Sequence, residues 1–130
     1  MLLRLTELRE ADIPRLMAVY AEGNRENGAY FHPDLPVEAG IRLAEQDFVK
    51  YLREDFFTGP ENVYYVLEQD GAWVAALRLY ALEQCYYIEA LETAPEYRRR
   101  GYGSRLLREL IRDLERTGPV ELRDCVRKTN

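Results

Sequence analysis

The stretch Tyr97-Arg98-Arg99-Arg100-Gly101-Tyr102-Gly103-Ser104-Arg105-Leu106-Leu107 holds residue types whose spacing suits one kind of chemistry, the capture of an anion. It lies between a strand pattern and a helix start. The first turn of a helix presents unpaired backbone N–H groups and the positive end of the macrodipole. Glycines at 101 and 103 clear side chains from the path of an anion toward those donors, and three arginines add positive charge. These are the parts of a phosphate or pyrophosphate site; the alternative is a glycine turn with solvated arginines. Two rival phosphate motifs do not fit. A P-loop needs lysine and then Ser or Thr directly after its last glycine. Here Ser104-Arg105 follows Gly103, and the only lysines are Lys50 and Lys128. A dinucleotide fingerprint needs a small residue at position 106, where Leu106 stands.

Elements of differing period must position this loop. Leu2 to Thr6 reads as a first strand. Asp12 suits a helix N-cap and Pro14 the first turn, after which Ile13, Leu16, Met17 and Tyr20 recur at helical spacing and Gly23-Asn24 ends the helix. Residues 23–36, GNRENGAYFHPDLP, read as a loop. A second helix is expected from about Pro36 to Phe57, with Ile41, Ala44, Phe48, Tyr51 and Leu52 on one stripe. Val63 to Leu67 is β-branched and aromatic, Asp70-Gly71 signals a hairpin, and Trp73 to Leu82 returns. Tyr86 to Thr93 adds a third strand of an antiparallel meander. The helix opened by Gly101 buries Leu106, Leu107, Leu110, Ile111 and Leu114. Val120 to Val126 follows as a last strand, parallel to its predecessor through a right-handed crossover. The fold class expected is α/β in the α+β sense: a mixed, mostly antiparallel central sheet with helices on both faces.

One hundred and thirty residues, 47% hydrophobic, make a single domain over 1–130. Eighteen basic against 23 acidic side chains give a net charge of -5, opposite in sign to a general nucleic-acid binder. Apolar runs such as Trp73-Val74-Ala75-Ala76-Leu77 fall far short of the roughly 18–20 residues a membrane helix needs. Arg4 and Glu7 interrupt any signal-peptide pattern at the start. Two cysteines, Cys85 and Cys125, and one histidine, His32, build no metal or disulfide framework, so no metal is expected and a reducing, cytoplasmic setting is favoured. The cysteines fall at opposite ends of the last two strands, so no disulfide is expected between them. No nucleic-acid or membrane partner is expected.

With the loop in this context, the chain resembles the GNAT superfamily of acyl-CoA-dependent N-acyltransferases. Arg98-x-x-Gly101-x-Gly103 matches the family's (Gln/Arg)-x-x-Gly-x-(Gly/Ala) motif, Glu89 to Arg98 looks like its fourth strand running into the pyrophosphate loop, and Ser104-Arg105-Leu106-Leu107 looks like the start of its third helix. The resemblance covers nearly the whole chain. It implies that acetyl-CoA is the cosubstrate and that backbone N–H groups of Arg99, Arg100, Gly101, Tyr102, Gly103 and Ser104 hold the coenzyme A pyrophosphate, with Arg98 ordering the loop. It implies that the backbone of Leu91 and Thr93 pairs with the pantetheine arm, and that the amine acceptor, a small molecule or a peptide, enters beside residues 23–36 and the second helix.

The reaction so implied is direct attack of an amine on a thioester carbonyl. An ammonium ion must first lose a proton, often to a carboxylate. Glu89 and Glu92 sit in an otherwise apolar strand, where burial would raise a carboxyl pKa into the range of a useful base. Strand alternation places them on opposite faces, with Glu89 the favoured candidate; the alternative for either is pairing with an arginine such as Arg78. His32 reads mainly as an ordinary loop histidine, the Tyr64-Tyr65 and Tyr86-Tyr87 pairs as strand packing, and Cys125 as non-catalytic.

The sequence departs from the family after Val126-Arg127-Lys128-Thr129-Asn130, where the family continues into a helix and a closing pair of strands. That helix often holds a tyrosine that protonates the departing thiolate, so the general acid is left unassigned. Truncation or proteolysis, completion by a second chain in a homodimer, and a naturally reduced member remain three explanations. Transfer of acetyl from acetyl-CoA to a primary amine is the leading function. A protein of the same fold that binds acyl-CoA without turnover is the alternative, and a nucleic-acid or phosphoprotein contact through Arg98-Arg99-Arg100 a third.

Overall fold

A computed structural model describes residues 1–59, 61–81, 85–116 and 122–124. In chain order these form strand β1 (Leu2–Leu5), helices α1 (Asp12–Val19), α2 (Ala21–Phe31) and α3 (Val37–Glu54), and strands β2 (Val63–Gln69), β3 (Ala72–Ala81) and β4 (Tyr86–Thr93). Helix α4 (Tyr102–Glu115) and strand β5 (Leu122–Asp124) follow, and short 3-10 turns occupy Phe56–Thr58 and Pro95–Tyr97.

The strands lie in sequence order in one sheet. β1 to β4 pair antiparallel and β5 runs parallel to β4, which is the mixed sheet expected from the hydrophobic periods. Each face buries a different set of side chains, because successive residues of a strand point to opposite sides. On one face Tyr65, Leu67, Leu77, Leu79 and Ile88 meet Leu106, Leu110 and Leu114 of α4. Each of these buried leucines contributes roughly 1.5–3 kcal/mol of apolar burial. Tyr65 also donates a 3.0 Å hydrogen bond to Asp113 of α4. On the other face Tyr64, Val66 and Ala76 pack beneath Leu16, Val19, Tyr20, Leu52 and Phe56.

Three expectations are corrected. Residues 23–31 are helical: α2 begins one residue after α1 ends, with Tyr20 as the joint. Its glycines are contact points rather than breaks. A Cβ on Gly28 would lie 2.7 Å from the Gly40 carbonyl carbon, so two glycines face each other where α2 crosses α3. Asp12 is the first residue of α1 rather than its N-cap, which is Ala11, and no side chain caps that helix. The expected second helix ends at Glu54 and passes into the 3-10 turn at Phe56. Of the expected last strand, Leu122–Asp124 is described; Cys125 and the C-terminal tail lie outside the described residues, and with them the question of a disulfide.

The Gly28–Gly40 contact makes a direct prediction. Gly28→Ala gains up to about 1 kcal/mol of helix propensity but forces two backbones apart, for a net loss of about 1–2 kcal/mol. Urea denaturation would show a lower midpoint; a higher midpoint would mean that the two helices do not approach this closely.

Candidate active site

The loop after β4 is built as an open set of donors. Past Ala94 the chain makes its 3-10 turn, and Arg98 is extended. Arg99 and Gly101 then take left-handed φ values of 64° and 77°. Gly101 is the N-cap of α4, and no side chain caps the helix. The first backbone bond back into the turn is from Arg105 N–H to the Gly101 carbonyl at 3.0 Å. The N–H groups of Tyr102, Gly103 and Ser104 therefore point out of the helix end with no intrahelical acceptor. Arg98, Arg99 and Arg100 are exposed beside them, with Arg100 over the ring of Tyr97 at 5.6 Å. Arg105 is turned away, bonded to Gln69 at 3.0 Å and paired with Glu109 at 3.3 Å.

Gly103 fits this end of the helix onto the strand. A Cβ there would meet Thr93 Oγ1 at 3.5 Å, an ordinary contact distance, so the helix end sits directly against the strand. Thr93 registers with Ala75 of β3, and Ala94 N–H bonds the Val74 carbonyl at 2.8 Å. Strand alternation then directs the polar backbone of Thr93 to the other edge of β4. On that edge, among the described residues, β5 registers only with Tyr86, Tyr87 and Ile88. Among the described residues nothing pairs with that edge from Glu89 to Thr93, and Leu91 is 38% exposed beside it.

The two carboxylates are placed differently from what alternation predicts. In the β3–β4 ladder Ala76 registers with Glu92 and Arg78 with Glu89, so two steps on β3 span three on β4. The extra residue is absorbed at Ala90, whose φ is 56°. Such a bulge restores the same orientation on both sides of it. Glu89 and Glu92 consequently lie on one face, the face covered by α1, α2 and α3. The expectation of opposite faces is overturned by this single left-handed residue.

Their surroundings divide them. Glu89 Oε1 accepts two hydrogen bonds from Arg78, at 2.6 Å and 3.1 Å. Arg78 also lies over the Tyr51 ring at 5.0 Å, and the Tyr51 and Tyr80 hydroxyls bond each other above it. Glu92 has no such partner: its Oε2 is buried without a hydrogen bond. Its other oxygen lies where a Cβ on Gly23 would stand, 2.5 Å away, so α2 passes directly over the carboxyl. Burial first, and then Glu26, push the Glu92 pKa up to about 7 against the opposing pull of Arg98 and Arg78. Desolvation penalises the charged form, and a nearby carboxylate adds to the penalty.

On this same face a cavity of about 200 Å³ opens between α2, α3 and β3. Asn24, Asn27, His32, Asp47, Phe48 and Arg78 line it, together with Phe31 and Tyr51. The helix that replaces the expected loop forms one of its walls. Asn24, 3% exposed, and Arg78 were not legible as site residues: one sat in a presumed loop and the other in an ordinary strand. Tyr64 and Tyr65 are buried on opposite faces as packing residues, and Cys85 is half-buried. Among the described residues no group of three or more His, Cys, Asp or Glu side chains could hold a metal ion, and no helix is long and apolar enough to cross a membrane.

Known proteins share this fold. The model of the acetyltransferase (GNAT) family matches residues 16–130. The ribosomal-protein-S18-alanine N-acetyltransferase from Escherichia coli superposes with a TM-score of 0.61 at 22% identity, over 100% of this chain and 70% of that one. PaiA N-acetyltransferase from Thermoplasma acidophilum, in complex with coenzyme A, gives 0.62 at 18% identity, over 100% and 82%. An aminoglycoside acetyltransferase from an uncultured soil metagenomic sample, in complex with sisomicin, gives 0.57 at 18% identity, over 99% and 78%. At these identities the structural likeness shows the fold. No curated protein matches the sequence.

The raised Glu92 pKa has a consequence for stability. Between about pH 4.5, the ordinary value, and about pH 7 the folded chain keeps a proton that the unfolded chain releases. The folded state binds more protons in that window, so this group's contribution to stability is full below it and is lost as pH rises through it. Glu92→Gln stays neutral and lacks the loss. Urea denaturation at about pH 5 and about pH 8 should show the variant gaining on the wild type at the higher pH; an equal difference at both would place Glu92 in solvent.

Proposed function

The chain belongs to the acetyltransferase (GNAT) family, and we propose that it moves an acetyl group from acetyl-CoA to a primary amine by direct attack. The observation that carries this reading is Glu92: a carboxyl buried beneath Gly23 of α2, its pKa raised to about 7, on the sheet face where the cavity between α2, α3 and β3 opens and on the strand that leads into the loop before α4.

Acetyl-CoA supplies an activated acyl carbonyl. The chain's residues do the binding and the proton chemistry. The uncapped N–H groups at the start of α4 and the exposed arginines at 98–100 match a pyrophosphate in charge and in donor geometry. The edge of β4 from Glu89 to Thr93, which no described residue pairs with, offers backbone donors and acceptors to an extended amide chain, with Leu91 and Thr93 as its partners. The acceptor comes from the opposite side, through the cavity between α2 and α3. Glu22 and Glu26 near Glu92, and Asp47 in the cavity, favour a cationic amine. That charge keeps the amine protonated and unreactive until it loses a proton. Glu92 takes it; a carboxylate with a pKa near the working pH accepts a proton without being trapped as the acid.

Glu89 is less free to act on the amine. Its oxygen is committed to two bonds from Arg78, and removing a proton acceptor from that pair would leave a buried guanidinium unpaired. We assign Glu89 to holding Arg78 at the cavity floor. A protein that binds acyl-CoA without turnover would need the same anion loop but no use for a poised Glu92.

Thiol release from acetyl-CoA with a panel of amines tests the proposal, with calorimetry reporting binding. The wild type should release thiol with at least one cationic amine. Glu92→Gln should lower kcat by about 10²-fold with little change in acetyl-CoA KM, and Glu89→Gln by less. Gly103→Val should raise acetyl-CoA KM by about tenfold or more by placing a branched side chain beside the N–H groups proposed to hold the pyrophosphate. Binding of acetyl-CoA with no thiol release from any amine would overturn the enzyme reading.

A further inference from the structure

We propose that Tyr20 is a positioning residue for acyl transfer: its hydroxyl holds the Ala90 carbonyl in the left-handed turn that sets Glu92 on the face covered by α1, α2 and α3 and fixes which way the backbone of Leu91 and Thr93 points. The proposal rests on the acyl-transfer reading above.

Tyr20 is the joint between α1 and α2, with φ -96° and ψ 17°. It is 4% exposed, and its ring is held against Phe48 at 5.2 Å and Tyr64 at 6.0 Å. A ring fixed on two sides gives its hydroxyl one reach, and it donates to the Ala90 carbonyl at 2.6 Å. Ala90 needs such a partner. A left-handed φ costs free energy for any residue with a Cβ, and the rotated peptide takes its carbonyl out of the β3–β4 ladder. The single bond from Tyr20 offsets both. Without it, slipping back to a regular register would turn Glu92 over, because one residue of slip exchanges the faces of a strand. The same residue joins α1 to α2, so the helix that walls the cavity is tied to the strand that meets the cosubstrate.

The groups facing Glu92 come from every element around it: Glu22 and Glu26 of α2, Arg78 of β3, Arg98 after β4, and the phenols of Tyr20 and Tyr64. Burial first, and then Tyr64, keep the Tyr20 phenol neutral far above the range in which Glu92 titrates. Removing its hydroxyl therefore changes no charge near Glu92. The Ala90→Gly rescue below separates a change in Glu92 titration carried by the backbone from one caused by loss of the hydroxyl dipole.

The test uses the full chain and two readouts: carbon-detected NMR titration of Glu92, assigned with Glu92→Gln, and steady-state kinetics with acetyl-CoA. Tyr20→Phe should lower the Glu92 midpoint to about 6 or below. It should raise acetyl-CoA KM by about tenfold. Adding Ala90→Gly should restore both, since glycine takes the positive φ without the Cβ cost. The proposal is overturned if Tyr20→Phe leaves the midpoint and KM unchanged, or if Ala90→Gly restores neither. Should the wild type release no thiol with any amine, the acyl-transfer reading fails, while the NMR arm and its rescue still decide whether Tyr20 holds the turn.

Discussion

The arrangement of the site depends on one backbone conformation, the left-handed φ of 56° at Ala90. It lets β4 spend three residues where β3 spends two. Upstream of it, β4 is paired on both edges, by β3 and by β5. Downstream, the strand leads through Thr93 into the turn that sets up α4. The bulge aligns Glu89 and Glu92 on one face while Thr93 stays on the α4 face, against Gly103. A single irregularity thus puts the two carboxylates on one side of the sheet and Thr93, with the start of α4, on the other; in the proposed function these are the acceptor side and the cosubstrate side.

Charge on the acceptor face follows from what is buried and what is paired. Arg78, with its side chain 13% exposed, is stabilised by Glu89 and by the face of Tyr51. A buried cation of this kind is tolerated only with a counterion in place. Glu92 has no equivalent partner; it stays affordable in the folded state by keeping its proton up to about pH 7. The two carboxylates have similar positions on one strand and different tasks, because Arg78 reaches one and only weakly offsets the burial of the other.

Much of this was legible in the sequence. The turn between β4 and an uncapped α4 follows from Arg98, Gly101 and Gly103 between a strand and a helix. The three-strand meander follows from Asp70-Gly71 and the aromatic runs. The stripe of Leu106, Leu110 and Leu114 fixes the face of α4. Three features were not legible, each because local pattern was outweighed by tertiary contact. Gly23 and Gly28 read as breakers, yet they are where α2 packs on Glu92 and Gly40. Ala90 has no propensity for a positive φ; its conformation is imposed by Tyr20 and the register of β3. Once that residue is unforeseen, the period of two gives the wrong relation between Glu89 and Glu92. Tyr20 itself fell in an apolar helical stripe, where a core reading is the natural one and a hydroxyl aimed at a strand carbonyl leaves no trace in sequence.

The central claim is that the bulge delivers a buried, protonatable Glu92 to the acceptor side of an acyl-transfer site. The most direct measurement is the pH dependence of kcat/KM for the amine, at saturating acetyl-CoA, compared with the amine's own ionisation. The account predicts an acid limb with a midpoint of about 7 that disappears in Glu92→Gln, leaving a low rate set by the amine alone. A wild-type profile flat across this region, or a limb near 7 that persists in the variant, would contradict it.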